Sequence, residues 1–146
     1  MKSNHLTPEL YVTDFKKSLK FYQNILGFII EYRRENPSFA FLSYQGSHIM
    51  IQEFDPNEDR AFITGDFEYP LGRGINFQID TNNIQQINNS LKGRNYPLRR
   101  AIQDSWYKVG NVLRGCRQIL VQDPDGYLLR FSQDIGEKPV DSIHRQ

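Results

Sequence analysis

The chain has 146 residues, and 18 Lys and Arg against 17 Asp and Glu leave a net charge of +1. This length favours a single compact domain that buries a core without a structural metal. A lone cysteine, Cys116, excludes an internal disulfide framework and a Cys-rich zinc module. The balanced charge argues against a nucleic-acid partner. Since no run is apolar enough for a membrane span or a secretory signal, the sequence predicts a cytoplasmic protein.

The first part of the chain predicts a βαβββ module over residues 6–54. Strands are expected at residues 6–13, 28–34, 38–44 and 47–54. Asp14 is expected to cap the amphipathic helix between the first two strands, and Gly27 to end it. Gln45 and Gly46 predict a tight turn that joins the last two strands as a hairpin.

The same pattern returns after a polar, turn-rich linker at residues 55–73, giving a second βαβββ module over residues 74–133. Its helix is expected to be capped by Asp80 or Thr81 and to end at Gly93. Strands are expected at residues 75–79, 96–108, 114–122 and 127–133, followed by a polar tail over 134–146 that frays.

The two modules repeat each other, since Val12 aligns with Ile79 and Gly27 with Gly93 at a nearly fixed offset. We therefore predict an α+β fold made of duplicated βαβββ modules. Each module is a curved four-stranded mixed sheet with one covering helix, and the sheet face without a helix lines a groove. The chain as a whole is treated as one domain of this type over residues 1–146.

Strand alternation predicts which side chains face the groove. Pairing across the Gln45 turn puts Phe41 opposite Met50 and Phe39 opposite Gln52. The groove side mixes apolar, aromatic and polar groups, which suits a ligand with flat and polar parts. The expected ligand-contacting residues are Glu9, Tyr11, Phe39, Phe41, His48, Met50, Gln52, Asn76, Gln78, Trp106 and Arg130.

For several of these residues, both a ligand contact and a purely structural role are consistent with the sequence. Phe39 and Phe41 either stack on a planar ligand or simply fill the groove, because aromatic residues at strand spacing are commonly core. Glu9 either attracts a cationic ligand or pairs with Arg130. Trp106, in an insertion at 105–107, either lines the groove mouth or plugs a loop from beneath. Cys116 has no neighbouring base and is not expected to be a nucleophile.

Four sequence motifs resemble the vicinal oxygen chelate superfamily, which includes glyoxalases, extradiol dioxygenases, fosfomycin-modifying thiol transferases and bleomycin resistance proteins. The motifs are VTDF at 12–15, SLKFY at 18–22, LGF at 26–28 and DPDGYLLRF at 123–131. The resemblance spans residues 6–133 and implies the duplicated fold described above. It does not by itself choose an activity, because the fold hosts several chemistries.

The metal enzymes of this superfamily take one ligand, usually His or Glu, from the first and last strand of each module. At the matching positions this sequence has Thr7, Met50 or Gln52, Gly74 and Arg130. None of these is a His or a carboxylate, and an arginine cation repels a metal ion. The resemblance therefore implies a protein without a metal or another cofactor.

The expected function is metal-independent binding, closest to the bleomycin resistance branch, in which the groove sequesters a flat, cationic antibiotic without chemistry. The resemblance also implies a homodimer, with or without exchange of modules between chains. The alternative is a glyoxalase- or dioxygenase-type enzyme whose metal is held by an unusual set, namely His5, Glu9, His48 and Gln52. A binding module for an unrelated metabolite is a third possibility.

Overall fold

Two four-stranded sheets, one for each βαβββ repeat, form the framework of the computed structural model, which describes residues 4–58 and 60–140. The chain divides into two units. Unit 1 holds the chain up to Asn76 together with Gln122–Leu128, and unit 2 holds Phe77–Val121 and the chain from Leu129 onward. The α+β class and the duplicated fold are thus confirmed. Neither helix of the described residues is long and apolar enough to cross a membrane.

Unit 1 contains the first sheet and the first helix. Its elements are β1 (Glu9–Val12), α1 (Phe15–Lys20) with a π-helical turn at Phe21–Ile25, β2 (Ile29–Arg34), β3 (Phe39–Tyr44) and β4 (Ser47–Glu53). The strand order is β1-β4-β3-β2, with β1 parallel to β4 and the other pairs antiparallel. α1 packs against β4. Beneath it lie Leu10, Val12, Ala40, Leu42, Ile49 and Ile51, all at most 4% exposed.

Local sequence chemistry explains the boundaries of these elements. The Asp14 side chain accepts a hydrogen bond from the Lys17 backbone N–H and so caps α1 as predicted. The hairpin between β3 and β4 turns at Gln45 and Gly46, whose φ angles of 45° and 86° match a two-residue turn that favours glycine. The predicted helix start and hairpin turn are therefore confirmed.

Unit 2 contains the second sheet and helix. Its elements are β5 (Asn76–Asp80), α2 (Ile84–Gly93), β6 (Arg100–Val109), β7 (Val112–Gln122) and β8 (Leu128–Pro139), in sheet order β5-β8-β7-β6. The cap of α2 is Asn83, whose side chain accepts from the Gln86 N–H, so the predicted caps Asp80 and Thr81 are wrong. The Thr81 hydroxyl instead accepts from the Asn83 N–H, which adds a local turn before the helix begins.

The second sheet is longer than predicted at the end where β6 turns into β7. Residues 105–107 lie within β6, in agreement with the predicted strand at 96–108, and β8 continues to Pro139 instead of ending at Gln133. The extended β8 is held beside β7 by ion pairs from Arg114 to Asp134 and Glu137. Residues 134–139 are therefore strand and not tail, whereas residues 141–146 lie outside the described residues.

The turn between β7 and β8 belongs to unit 1, where it is held by a buried carboxylate. Asp123 is 2% exposed and accepts a hydrogen bond of 2.6 Å from the Tyr22 hydroxyl. Its other oxygen accepts from the backbone N–H groups of Asp125 and Tyr127, each at 2.9 Å. The Asp125 carboxylate in turn accepts from both the backbone N–H and the hydroxyl of Thr13. The turn is thus bound to β1 and to the first helical segment.

This network predicts a pH dependence of stability. Burial raises the pKa of the Asp123 carboxyl to about 6, against the opposing effect of the Tyr22 and backbone hydrogen bonds. Because the folded carboxyl keeps its proton to higher pH than an unfolded one at 3.8, its stabilising effect is complete below pH 3.8 and is lost as pH rises to about 6. Across that window we expect the free energy of unfolding to fall by up to about 3 kcal/mol relative to Asp123→Asn.

Urea unfolding at a series of pH values measures this difference. Asp123→Asn is the matched control, because its amide oxygen can still accept from the Asp125 and Tyr127 N–H groups while no longer titrating. Parallel pH dependence in the two proteins would contradict the prediction.

Candidate functional site

The helix-free face of the first sheet carries the unit 1 residues that the sequence singled out. The register sets Glu9 beside Met50 and Met50 beside Phe41 in one row across the strands. A second row contains Tyr11, Gln52 and Phe39, and His48 lies opposite Ser43. The predicted pairing is therefore confirmed, and these side chains share one face.

Phe39 and Phe41 are covered on this face by β2. The Tyr32 ring stacks on Phe41 with a centroid distance of 5.3 Å, and the Arg34 guanidinium lies 4.1 Å from the Phe39 ring centre. The two phenylalanines are only 1% and 4% exposed, which favours the reading that they fill space. Sequence reasoning missed Tyr32 and Arg34. A bulge between Ile30 and Tyr32 shifts the alternation, so parity alone could not assign them.

His48 is engaged within unit 1. Its Nδ1 accepts a hydrogen bond of 3.0 Å from the Asn4 backbone N–H, and its ring lies 5.4 Å from the Phe41 ring. Within residues 4–58 and 60–140, no group of three or more His, Cys, Asp or Glu side chains is placed to hold a metal ion. The alternative ligand set of His5, Glu9, His48 and Gln52 is therefore not assembled.

Unit 1 has a cleft of about 400 Å³ beside the end of β4, here named the acidic cleft. Its lining residues are Asn36, Pro37, Ser38, Glu53, Phe54, Asp55, Pro56 and Glu58. Phe54 forms an aromatic wall, stacked on Phe67 at 4.2 Å and met edge-on by Tyr11 at 6.5 Å. Tyr11 and Gln52 border a small recess that shares Phe54 and Glu53 with this cleft.

The sequence analysis did not predict the acidic cleft, because two of its three carboxylates, Asp55 and Glu58, lie in residues 55–73, which were interpreted as a linker. The signal available in the sequence was an aromatic residue between acids, in the order Glu53, Phe54, Asp55, followed by Glu58. The Arg60 guanidinium already lies 5.2 Å from the Phe54 ring centre, so this ring accepts a cation on its face.

Unit 2 has a cleft of about 270 Å³ on the helix-free face of the second sheet, here named the polar cleft. It is lined by Gln78, Asp80, Thr81, Tyr107, Arg114, Gly115, Cys116, Ser132 and Asp134. Gln78 is the only predicted site residue among them, and its amide donates to Asp80 at 3.0 Å. Asn76 is exposed at the start of β5, and Arg130 lies two residues before Ser132 on β8.

One acid–base pair borders the polar cleft, and a second lies on the other face of the same sheet. Arg114 donates to Asp134 at 2.7 Å, and the backbone N–H of Gly136 and this guanidinium together hold the pKa of Asp134 below its usual value. On the opposite face, Arg117 donates to both oxygens of Asp104 at 2.7 and 3.0 Å. The Asp104 pKa is lowered by the same bonds.

Trp106 does not lie on the groove side, which corrects the prediction that it lines the groove mouth. It is paired with Gly115, which shares a face with the buried Ile119 and Val121. The Lys138 ammonium lies 4.0 Å from the centre of the indole. The prediction treated residues 105–107 as an insertion at the groove mouth, whereas their pairing with β7 fixes the face on which the indole lies.

The sequence profile of the Glyoxalase/Bleomycin resistance protein/Dioxygenase superfamily matches residues 2–131. The chain belongs to this superfamily. A member from Vibrio splendidus 12B01 is 31% identical, with 86% of this chain and 95% of that chain covered and a TM-score of 0.40. None of the curated proteins matches the chain.

Two more distant structures share the superfamily fold. The genomically encoded fosfomycin resistance protein FosX from Listeria monocytogenes is 22% identical, covering 93% of this chain and 94% of that chain with a TM-score of 0.53. Lactoylglutathione lyase from Agrobacterium tumefaciens is 13% identical, covering 91% and 95% with a TM-score of 0.60. The different names of these two proteins agree with a fold that does not choose one activity.

The residues of this superfamily member do not fit the metal of its enzymatic relatives. The Thr7 hydroxyl donates a hydrogen bond to the Asn4 carbonyl at 3.4 Å, and Gly74 has no side chain that could bind a metal. The Met50 thioether and the Gln52 amide are uncharged and weak metal ligands, and Arg130 carries a permanent positive charge. We therefore derive no chemistry from a divalent metal at these positions.

The packing of Trp106 makes a testable prediction. A methyl group added at Gly115 would approach the indole to 2.7 Å and Ile135 to 2.8 Å. We expect Gly115→Ala to lower the free energy of unfolding by about 1–3 kcal/mol through overpacking. It should also shift the emission of the single tryptophan.

Gly93→Ala is the matched control, because nothing lies within 4 Å of the position its methyl would take. Chemical unfolding followed by fluorescence compares the two variants with the wild type. If the two variants had the same free energy of unfolding and the same tryptophan emission, Trp106 would not be packed against Gly115.

Proposed function

We propose that this superfamily member binds a small organic ligand without a metal ion and without transforming it, in the manner of a bleomycin resistance protein. The observation that carries the proposal is the acidic cleft, where Glu53, Asp55 and Glu58 surround the Phe54 ring. The absence of His and carboxylate donors at the superfamily's metal positions supports binding over metal-dependent catalysis. The ligand class that we propose is a flat, cationic antibiotic.

The acidic cleft combines two attractions for such a ligand. The Phe54 ring, backed by Phe67, offers a flat surface for stacking and for a cation. The three carboxylates supply negative charge within a chain whose net charge is only +1, so the attraction is local. Arg60, which now lies over Phe54, is the group that an incoming cation would displace.

The other predicted contacts complete the proposal. Tyr11 and Gln52 border the recess next to the acidic cleft, and Glu9 and Met50 continue the same face. We retain His48 of the first sheet as a proposed ligand contact, whereas Asn76, Gln78 and Arg130 lie on strands of the second sheet and are not assigned to this site. Phe39, Phe41 and Trp106 are assigned to packing.

We also propose that the protein acts as a cytoplasmic homodimer. A closed twofold assembly is the commonest oligomer of soluble proteins. The single Cys116 can form no disulfide within the chain, which suits a reducing compartment. Sedimentation equilibrium of the purified protein measures the subunit number directly.

Isothermal titration with metal-free and copper-loaded bleomycin tests the binding function. We expect saturable heat at micromolar protein with one site per chain, together with less than stoichiometric metal by elemental analysis of untagged protein. Absence of heat with both forms would remove the antibiotic assignment. Zinc, nickel, iron or manganese at one ion per chain would contradict the proposal that binding is independent of a metal.

A charge substitution tests the position of the site. We expect Glu53→Gln to weaken bleomycin binding by up to about fivefold, because it removes one charge from the cleft while keeping its shape. Glu68→Gln is the matched control, since Glu68 is exposed and pairs with Arg73 outside the cleft. Equal affinities for the two variants would place the ligand elsewhere.

A further inference from the structure

A recess of about 20 Å³ adjoins the acidic cleft of unit 1. It shares Glu53, Phe54 and Glu58 with the cleft, whereas Gln52 and Ile63 line only the recess. A polar cavity holds one water molecule once about 10–15 Å³ is open to the centre of that molecule. The recess therefore admits one group of the size of water, and the cleft of about 400 Å³ admits the body of an organic ligand.

The recess has several hydrogen-bond acceptors in its walls. Glu53 and Glu58 form no ion pair in the part of the chain that the structure describes. Asp55, a third carboxylate in the wall, accepts from the Asn57 backbone N–H at 2.9 Å through one of its two oxygens. The Gln52 amide oxygen is a further acceptor. Since the three acidic residues are all at least partly exposed, a ligand can reach them from solvent.

A cation of the chain itself already lies at this position. The Arg60 guanidinium is 5.2 Å from the centre of the Phe54 ring, and the Tyr11 ring, which also lines the recess, meets Phe54 edge-on at 6.5 Å. The Ile63 N–H donates to the Arg60 carbonyl at 2.9 Å, so the turn that carries this cation also supplies the apolar wall of the recess. Because aromatic faces attract ammonium and guanidinium groups, the placement of Arg60 favours a cationic ligand independently of the carboxylates.

We propose that the recess receives a primary ammonium group, and that the ligand is an aromatic compound with an aminoalkyl arm whose flat part lies against Phe54 in the acidic cleft. A primary ammonium is compact and donates three hydrogen bonds, which suits a space of about 20 Å³ walled by Glu53, Glu58 and Gln52. A quaternary ammonium has no donor, and its methyl groups exceed this space. The assignment rests on the proposed function, since it specifies which cation the acidic cleft takes.

Two aromatic cations that differ only in their methyl groups test this selection. Phenethylammonium chloride and phenethyltrimethylammonium chloride are titrated separately into the ¹⁵N-labelled full chain at equal ionic strength. We expect the backbone cross-peaks of Phe54 and Glu58 to shift saturably, and the primary ammonium to bind about tenfold more tightly than the quaternary one. The indole cross-peak of Trp106, in unit 2, is the internal control. Equal affinities for the two cations, or no saturable shift with phenethylammonium, would overturn the proposal.

A variant with a wider recess tests whether its size makes the selection. Ile63→Ala should reduce the preference for the primary ammonium to about threefold, because it makes room for methyl groups. Ile75→Ala is the matched control, since Ile75 is 56% exposed and lines neither the recess nor the cleft. A general loss of affinity in Ile63→Ala would lower binding of both cations and leave their ratio unchanged. An unchanged ratio in Ile63→Ala would therefore overturn the role of the recess.

The outcomes separate this proposal from the proposed function. Heat with bleomycin together with equal affinities for the two aromatic cations would retain the antibiotic-binding function and remove the primary ammonium site. Selective binding of phenethylammonium without heat from bleomycin would retain the recess as an ammonium site and remove the antibiotic assignment.

Discussion

The buried Asp123 carboxylate is the constraint on which the organisation of unit 1 depends. It holds the turn between the last two strands while accepting from Tyr22, which lies in the first helical segment. A carboxylate can be buried at this depth only when donors surround it, and here a hydroxyl and two backbone N–H groups do so. Residues distant in sequence are thereby fixed to the first strand and helix, and the faces of the first sheet are set in place.

On the helix-free face of the first sheet, Phe39 and Phe41 are not accessible to a ligand. Tyr32 and Arg34 cover Phe39 and Phe41, so the accessible aromatic surface lies instead at the end of β4, on Phe54. A chain that is almost neutral as a whole thus carries a locally acidic, aromatic cleft. The polar cleft of unit 2 is instead lined by both signs of charge, Arg114 together with Asp80 and Asp134. The net charge of the chain reveals neither cleft, since both charge distributions are local.

Much of the fold follows from local chemistry that the sequence displays. Asp14 caps a helix and Gln45-Gly46 closes a hairpin, because each needs only its immediate neighbours to act. The hairpin turn then fixes the register that brings Met50 and Gln52 beside their partners. The cap of α2 was placed wrongly because several residues in that short stretch can accept the same bond, and only the packed helix selects Asn83.

The sequence by itself determined the superfamily, the duplicated βαβββ fold and the pairing of β3 with β4. Only the tertiary structure decided which face Tyr32 occupies, because a single bulge reverses strand alternation without leaving a local signature. The acidic cleft likewise emerged only after folding. Which charged and aromatic side chains meet in one cleft is a property of contacts between residues distant in sequence, and a linear pattern does not record it.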